Sequence, residues 1–203
     1  MFQIKRLKYK QILSIEELEI KKNQVTCIIG QSGSGKTTLL KMLNHLLSPD
    51  EGEIYYKGRS VFEWDPIRLR REVVMLSQQP IVFAGNIREN LNIGRIFAEK
   101  KRCDDHYLIQ ALKLVNLEKK LEEDADSLSG GEKQRLSLAR VFLMEPDVFL
   151  LDEPTSALDK GTEDEVMNSF LTEASKKGKT VVMVTHSVEM AETYADKIIQ
   201  IQK

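Results

Sequence analysis

The apolar run Val25-Thr26-Cys27-Ile28-Ile29 leads directly into Gly30-Gln31-Ser32-Gly33-Ser34-Gly35-Lys36-Thr37, and Thr38-Leu39-Leu40-Lys41-Met42-Leu43 follows with helical periodicity. Strand, glycine-rich turn and helix in immediate succession leave few folds open: a strand covered on both faces, carrying a phosphate-binding loop at its end. Glycines let backbone N–H groups wrap phosphate oxygens, and the helix N-terminus adds positive potential. In that setting Lys36 is placed to bridge the β- and γ-phosphates of a nucleotide and the Thr37 hydroxyl to ligate Mg²⁺. Thr38 stands within reach of the α-phosphate. The helix is expected to continue until Pro49-Asp50-Glu51-Gly52 stops it.

The rest of the chain repeats the strand–helix rhythm. Alternating apolar residues over Phe2 to Ile20 indicate antiparallel strands with short polar turns, and Glu53 to Tyr56, turned at Lys57-Gly58, reads as a further hairpin arm. Asp65-Pro66 is a helix start, with a capping carboxylate before an N1 proline. Val73–Leu76, Val148–Leu151 and Val181–Val184 read as buried strands. Helices are expected near 132–144 and near 162–177, the second ended by Gly178. Between Asn86 and about Asp126 the strand pattern gives way to helical spacing at Leu108, Leu112, Val115 and Leu117. The expected fold class is therefore α/β with a largely parallel core.

Composition narrows the function. Thirty basic against 31 acidic residues give a net charge of −1, so no basic field points to nucleic acid. Two cysteines, Cys27 and Cys103, are too few for a disulfide framework and suit a reducing compartment. Cys27 reads as a packed core thiol; His45 and His106 match no motif and read as surface residues. No apolar run approaches the ~18–20 residues of a membrane span, and Met1-Phe2-Gln3-Ile4-Lys5-Arg6 lacks the apolar centre of a signal peptide. Any membrane connection is expected to come through a partner.

Two further motifs follow the glycine loop. Leu128-Ser129-Gly130-Gly131-Glu132-Lys133-Gln134-Arg135 lies about a hundred residues downstream, and the strand Val148–Leu151 closes in Asp152-Glu153. In this order, the three motifs resemble those of the ATP-binding cassette (ABC) family. The resemblance spans Tyr9 to His186. It implies a P-loop NTPase cassette over residues 1–203: a RecA-like parallel-sheet core with an N-terminal antiparallel β-subdomain (1–79 and 129–203) and a small helical lobe (80–128). It implies ATP and Mg²⁺ as cofactors, with Asp152 and Gln78 as further metal ligands. Glu153 would polarise the attacking water, an assistance worth roughly 10²–10⁴ in rate. His186 matches the switch histidine at the γ-phosphate, Ser156-Ala157-Leu158-Asp159 the loop that links two ATP sites, and Tyr9 the aromatic that stacks on adenine. Ser129, Gly130 and Gly131 would receive the γ-phosphate of ATP held by a second subunit.

The resemblance thus implies an ATP-dependent dimer, most simply a homodimer, driving an integral membrane transporter subunit from the cytoplasmic face of the membrane. A groove on the helical lobe would take a short helix of that subunit, with Ile81, Val82, Phe83, Ile87 and Leu91 as candidate lining. No C-terminal regulatory domain of the kind some importers carry is expected. The stretch Gln79 to Leu91 resembles exporters, yet Glu122-Glu123-Asp124-Ala125-Asp126 replaces the Val-Gly-Glu-x-Gly element expected before the signature. Together with the compact length, these features resemble stand-alone subunits of the bacterial iron-export (Fet-type) pair. Ser187 replaces the acidic residue that commonly follows the switch histidine. Two alternatives share the motifs. One is a mechanotransmission ATPase driving a cell-envelope complex; the other, a soluble ABC ATPase, would call for a coiled-coil insertion or tandem cassettes.

Overall fold

A computed structural model describes residues 1–201; Gln202 and Lys203, the end of the expected single domain, lie outside the described residues. The chain opens with two eight-residue strands, β1 (Phe2–Tyr9) and β2 (Leu13–Ile20), paired antiparallel from Phe2 opposite Ile20 to Tyr9 opposite Leu13. Strand β3 (Val25–Ile29) feeds the glycine loop and helix α1 (Lys36–Leu43). Strands β4 (Glu51–Tyr56) and β5 (Arg59–Ser60) complete a four-stranded antiparallel sheet of order β2-β1-β4-β5.

After a 3₁₀ turn at Val61–Glu63 comes α2 (Pro66–Glu72), started as the sequence indicates: the Asp65 carboxylate accepts from the Arg68 N–H at 2.8 Å, with proline at the first helical position. Then come β6 (Val73–Leu76), α3 (Ile87–Phe97), α4 (Asp105–Leu114), a 3₁₀ turn at Ala125–Ser127 and α5 (Gly130–Leu143). The chain continues through β7 (Val148–Asp152), α6 (Lys160–Lys176), β8 (Thr180–Val184), α7 (Val188–Tyr194) and β9 (Lys197–Gln200).

The second sheet is wholly parallel, of order β6-β7-β8-β3-β9. Its central strands are continuous apolar runs because each face meets a different core. Side chains alternate across a strand. Phe149, Leu151, Val181, Met183 and Cys27 therefore enter a core shared with α3–α6, while Val148, Leu150, Val182, Val184 and Ile28 enter one shared with α1 and the antiparallel sheet. Phe149 anchors the first core: its ring lies 5.1 Å from that of Phe170 and stacks with Phe142 at 6.1 Å. The α/β cassette with its parallel core and antiparallel sheet is as expected.

Several local expectations need correction. Helix α1 stops at Leu43, well before Pro49, because Asn44 caps it and His45 takes a left-handed conformation (φ 57°) that turns the chain; Glu51 and Gly52 already belong to β4. His45 is not a surface residue. It is partly buried, with its ring edge-on to Phe62 at 5.2 Å and its Nδ1 enclosed. Helix α7, absent from the sequence reading, starts at Ser187, whose hydroxyl accepts from the Met190 N–H at 3.1 Å. Among the described residues no helix is long and apolar enough to cross a membrane.

Candidate nucleotide site

The site is assembled by register. Leu76 on β6 pairs with Leu151 on β7; Asp152, last on β7, pairs with Val184, last on β8; Val184 in turn pairs with Ile28 on β3. The residues just past these strand ends therefore share one edge: Gln78 after β6, Glu153 after β7, His186 after β8, and the glycine loop after β3. Open parallel sheets place ligands at this edge. A cavity of about 340 Å³ lies there, lined by Ser32, Gly33, Gly35, Lys36, Thr37, Thr38, Gln78, Glu153, His186 and Ile12.

Gly33 (φ 78°) and Gly35 (φ 93°) take left-handed conformations that favour glycine, and Gly30 lies so close to the Ile201 carbonyl that a Cβ would collide with it. Lys36 is buried, and its ammonium donates to the Gly30 and Gln31 carbonyls at 2.9 Å each. The Ser34 hydroxyl is enclosed without a partner among the described residues. Thr37 Oγ1 donates to Asp152 Oδ1 at 3.0 Å, and burial holds the Asp152 carboxyl above its ordinary pKa. A desolvated carboxylate beside a hydroxyl is an oxygen-only pair that a hard divalent cation would relieve. One hydroxyl and one carboxylate suit a hard cation that also takes phosphate oxygens as ligands.

Glu153 stands at the mouth with φ 48°, its carboxylate clamped from both sides: Oε2 accepts from Gln78 Nε2 at 2.9 Å and Oε1 lies 2.6 Å from His186 Nε2. Its N–H continues the sheet ladder to the Val184 carbonyl at 3.0 Å. Gln31 belongs to the loop through its carbonyl, although its side chain is exposed.

The other expected site residues lie outside this cavity. Tyr9 is half-buried at the end of β1, with the Lys10 ammonium 5.1 Å from its ring centre. Ser129 caps α5 reciprocally, its Oγ accepting from the Glu132 N–H at 3.4 Å while its own N–H donates to Glu132 Oε2 at 2.8 Å. Ser129 and Gly130 are exposed; at Gly131 a Cβ would sit 3.0 Å from the Ala157 carbonyl. Asp159 caps α6 through the N–H and hydroxyl of Thr162, which hold its carboxyl below its ordinary pKa.

A second cavity, about 290 Å³, opens between the turn after α1, α2, β6, α3 and α5, with Leu46, Ile81 and Phe97 exposed on its walls and Phe83 and Arg140 deeper. Of the candidate lining residues, Ile81 and Phe83 line it; Ile87 and Leu91 are fully buried in the lobe core, and Val82 packs against that core.

Sequence reasoning gave no role to Gln134, Ser137 or Arg140, which are buried and polar on α5. The available signal was their spacing: three polar residues three apart share one face of the helix, and the apolar Leu136, Leu138, Ala139 and Val141 stand among them.

Comparison with known proteins agrees with this geometry. The family model for ABC transporters matches residues 13–156, more than half of the chain. The chain is 40% identical over 190 residues to the L-cystine import ATP-binding protein TcyN of Bacillus subtilis, covering 90% of this chain and 73% of that protein. It is 38% identical over 201 residues to the phosphate import ATP-binding protein PstB 1 of Enterococcus faecalis, covering 93% and 79%. Among solved structures, the dimeric post-hydrolysis state of the ATP-binding cassette MJ0796 bound to ADP and phosphate superposes with a TM-score of 0.87 at 30% identity, covering 99% of this chain and 94% of that one. The chain belongs to the ABC transporter family, as an ATP-binding subunit with ATPase activity.

Proposed function

We propose that two copies of this chain close around two ATP molecules, each held by the glycine loop of one copy and by Ser129-Gly130-Gly131 of the other. The observation that supports this is the division of the expected site. Lys36, Thr37, Gln78, Glu153 and His186 line one cavity, while Ser129 and Gly130 are exposed elsewhere. Lys36 exchanges its two loop carbonyls for the β- and γ-phosphates. Thr37, Asp152 and Gln78 would hold Mg²⁺, which would neutralise phosphate charge. Tyr9 packs against the adenine, and Asp159 links the two sites. With Gln78 and His186 turned from Glu153 towards the nucleotide, a Glu153 carboxylate oxygen is free to take a proton from the attacking water.

The lobe of residues 80–128 moves with this cycle, and the groove at Leu46, Ile81, Phe83 and Phe97 takes a short helix of a membrane subunit. The chain would thus work as a peripheral protein at the cytoplasmic face. Export of a metal such as iron is the substrate class to test first, on the strength of the exporter-like stretch Gln79 to Leu91.

Half-site complementation tests the composite site. Lys36→Ala and Ser129→Arg should each be nearly inactive. A 1:1 mixture should recover about a quarter of wild-type turnover, since half the dimers are mixed and each keeps one intact site. No recovery from folded, exchanging subunits refutes the reading. Pull-down from native membranes with tagged Glu153→Gln and ATP tests the partner. A small polytopic membrane protein supports transport. A non-transporting envelope complex favours mechanotransmission, and soluble partners alone a soluble ATPase.

A further inference from the structure

Helix α5 is capped by the exposed Ser129, and its buried polar residues face two other segments. Towards its C-terminal half, Ser137 Oγ and Arg140 Nη2 both donate to the Ile81 carbonyl, in the stretch after Gln78 that walls the partner groove. Nearer its start, Gln134 is only 2% exposed and uses both ends of its amide. Nε2 donates to the Glu153 carbonyl at 3.0 Å and to Ser156 Oγ at 3.3 Å, while Oε1 accepts from the Ala157 N–H at 2.8 Å.

These bonds fall on a backbone that needs holding. Glu153 has φ 48°, a conformation that residues with a Cβ keep only where the surroundings impose it. One side of its backbone is fixed by its own N–H to the Val184 carbonyl, and the other by Gln134 at its carbonyl. The direction of the Glu153 carboxylate follows from that backbone.

We propose that Gln134 is a positioning residue for ATP turnover: its amide ties the helix that starts at Ser129 to the backbone of Glu153 and to the loop Ser156-Ala157, so that movement of α5 re-aims the Glu153 carboxylate. The inference rests on the reading of Glu153 as the group that activates water. Because Arg140 and Ser137 hold Ile81 from the same helix, a partner seated in the groove and the Glu153 backbone would pull on one rigid element.

The test is Gln134→Met, which conserves length and volume while removing the donor and the acceptor. Misplacement of a reacting group by about 1 Å costs up to ~10²-fold in rate, so kcat should fall roughly ten- to a hundredfold. KM for ATP and ATP-dependent dimerisation should stay within about twofold, a split that a merely structural residue would not produce. A folded Gln134→Met with wild-type kcat overturns the proposal, as does a variant whose KM and kcat deteriorate together.

If the variant fails to fold, hydrogen exchange on the wild-type protein decides. The Ala157 amide lies in an exposed loop, yet its bond to Gln134 should slow its exchange at least about tenfold; an unprotected amide overturns the inference. Glu153→Gln measured alongside separates the two readings. If it stays active, the reading of Glu153 has failed; if it is inactive while Gln134→Met is fully active, only the role of Gln134 has failed.

Discussion

Glu153→Gln separates chemistry from structure at this site because the magnitudes of the two effects differ. The carboxylate makes two contacts, Oε2 to Gln78 Nε2 at 2.9 Å and Oε1 to His186 Nε2 at 2.6 Å. A glutamine can turn its carbonyl oxygen to Gln78 and its amide to His186, provided that imidazole carries its proton on Nδ1 and accepts at Nε2. At worst one hydrogen bond is lost, about 0.5–1.5 kcal/mol. For a domain of this size that lowers Tm by roughly 1–6 °C.

The effect on turnover is larger. An amide cannot take the proton of an attacking water, and general-base assistance of ~10²–10⁴ corresponds to about 2.7–5.5 kcal/mol of barrier. Steady-state phosphate release should therefore show kcat reduced at least about a hundredfold. Fluorescent-nucleotide titration should give an affinity within about threefold of wild type, because lost chemistry leaves ground-state binding in place. Size-exclusion chromatography with ATP should show the variant accumulating as a dimer. A folded Glu153→Gln that hydrolyses ATP within about threefold of wild type refutes the assignment. A loss that falls wholly on affinity would make Glu153 a binding residue instead.

Three other perturbations probe the frame around the site. Glu132→Ala removes half of the reciprocal cap on α5 and should cost about 1 kcal/mol at neutral pH in urea unfolding. Its Ser129 backbone and hydroxyl partners, then Lys119, hold the Glu132 carboxyl down at about 2 from an ordinary 4.5. A depressed carboxylate stabilises the fold above its unfolded pKa, so the wild-type advantage should persist above pH 4.5 and fade as pH falls towards about 2; an advantage independent of pH contradicts the cap. Phe149→Ala empties a site enclosed by Phe142 and Phe170 and should destabilise by about 3–5 kcal/mol with an unchanged urea m-value; a loss under about 1 kcal/mol would mean that this core collapses freely. Burial pushes the Cys27 thiol up to about 12, so maleimide at pH 8 should modify the partly buried Cys103 first and reach Cys27 only on unfolding, a difference that mass spectrometry reads directly.

What the sequence made legible at this site is what backbone chemistry dictates locally. Gly33 and Gly35 announce themselves because the loop needs left-handed backbone, Asp65-Pro66 because a helix start needs a cap and tolerates a missing N–H, and Val148–Asp152 because a strand covered on both faces has no polar alternation. Even the shared edge of Gln78, Glu153 and His186 follows from three apolar runs that end just before them. What stayed hidden is set by contacts between distant segments. His45 reads as a surface residue until Phe62 is packed against it, and α7 is too short to stand out by period alone. Gln134 stands in a quoted motif, but its partners are 19 to 23 residues away on another element. The left-handed Glu153 is the sharpest case: nothing local calls for it, since neither a glycine nor an asparagine marks the position. Its backbone is held by the Val184 carbonyl on one side and the Gln134 amide on the other, so the residue expected to do the chemistry leans on a helix outside the Asp152-Glu153 motif.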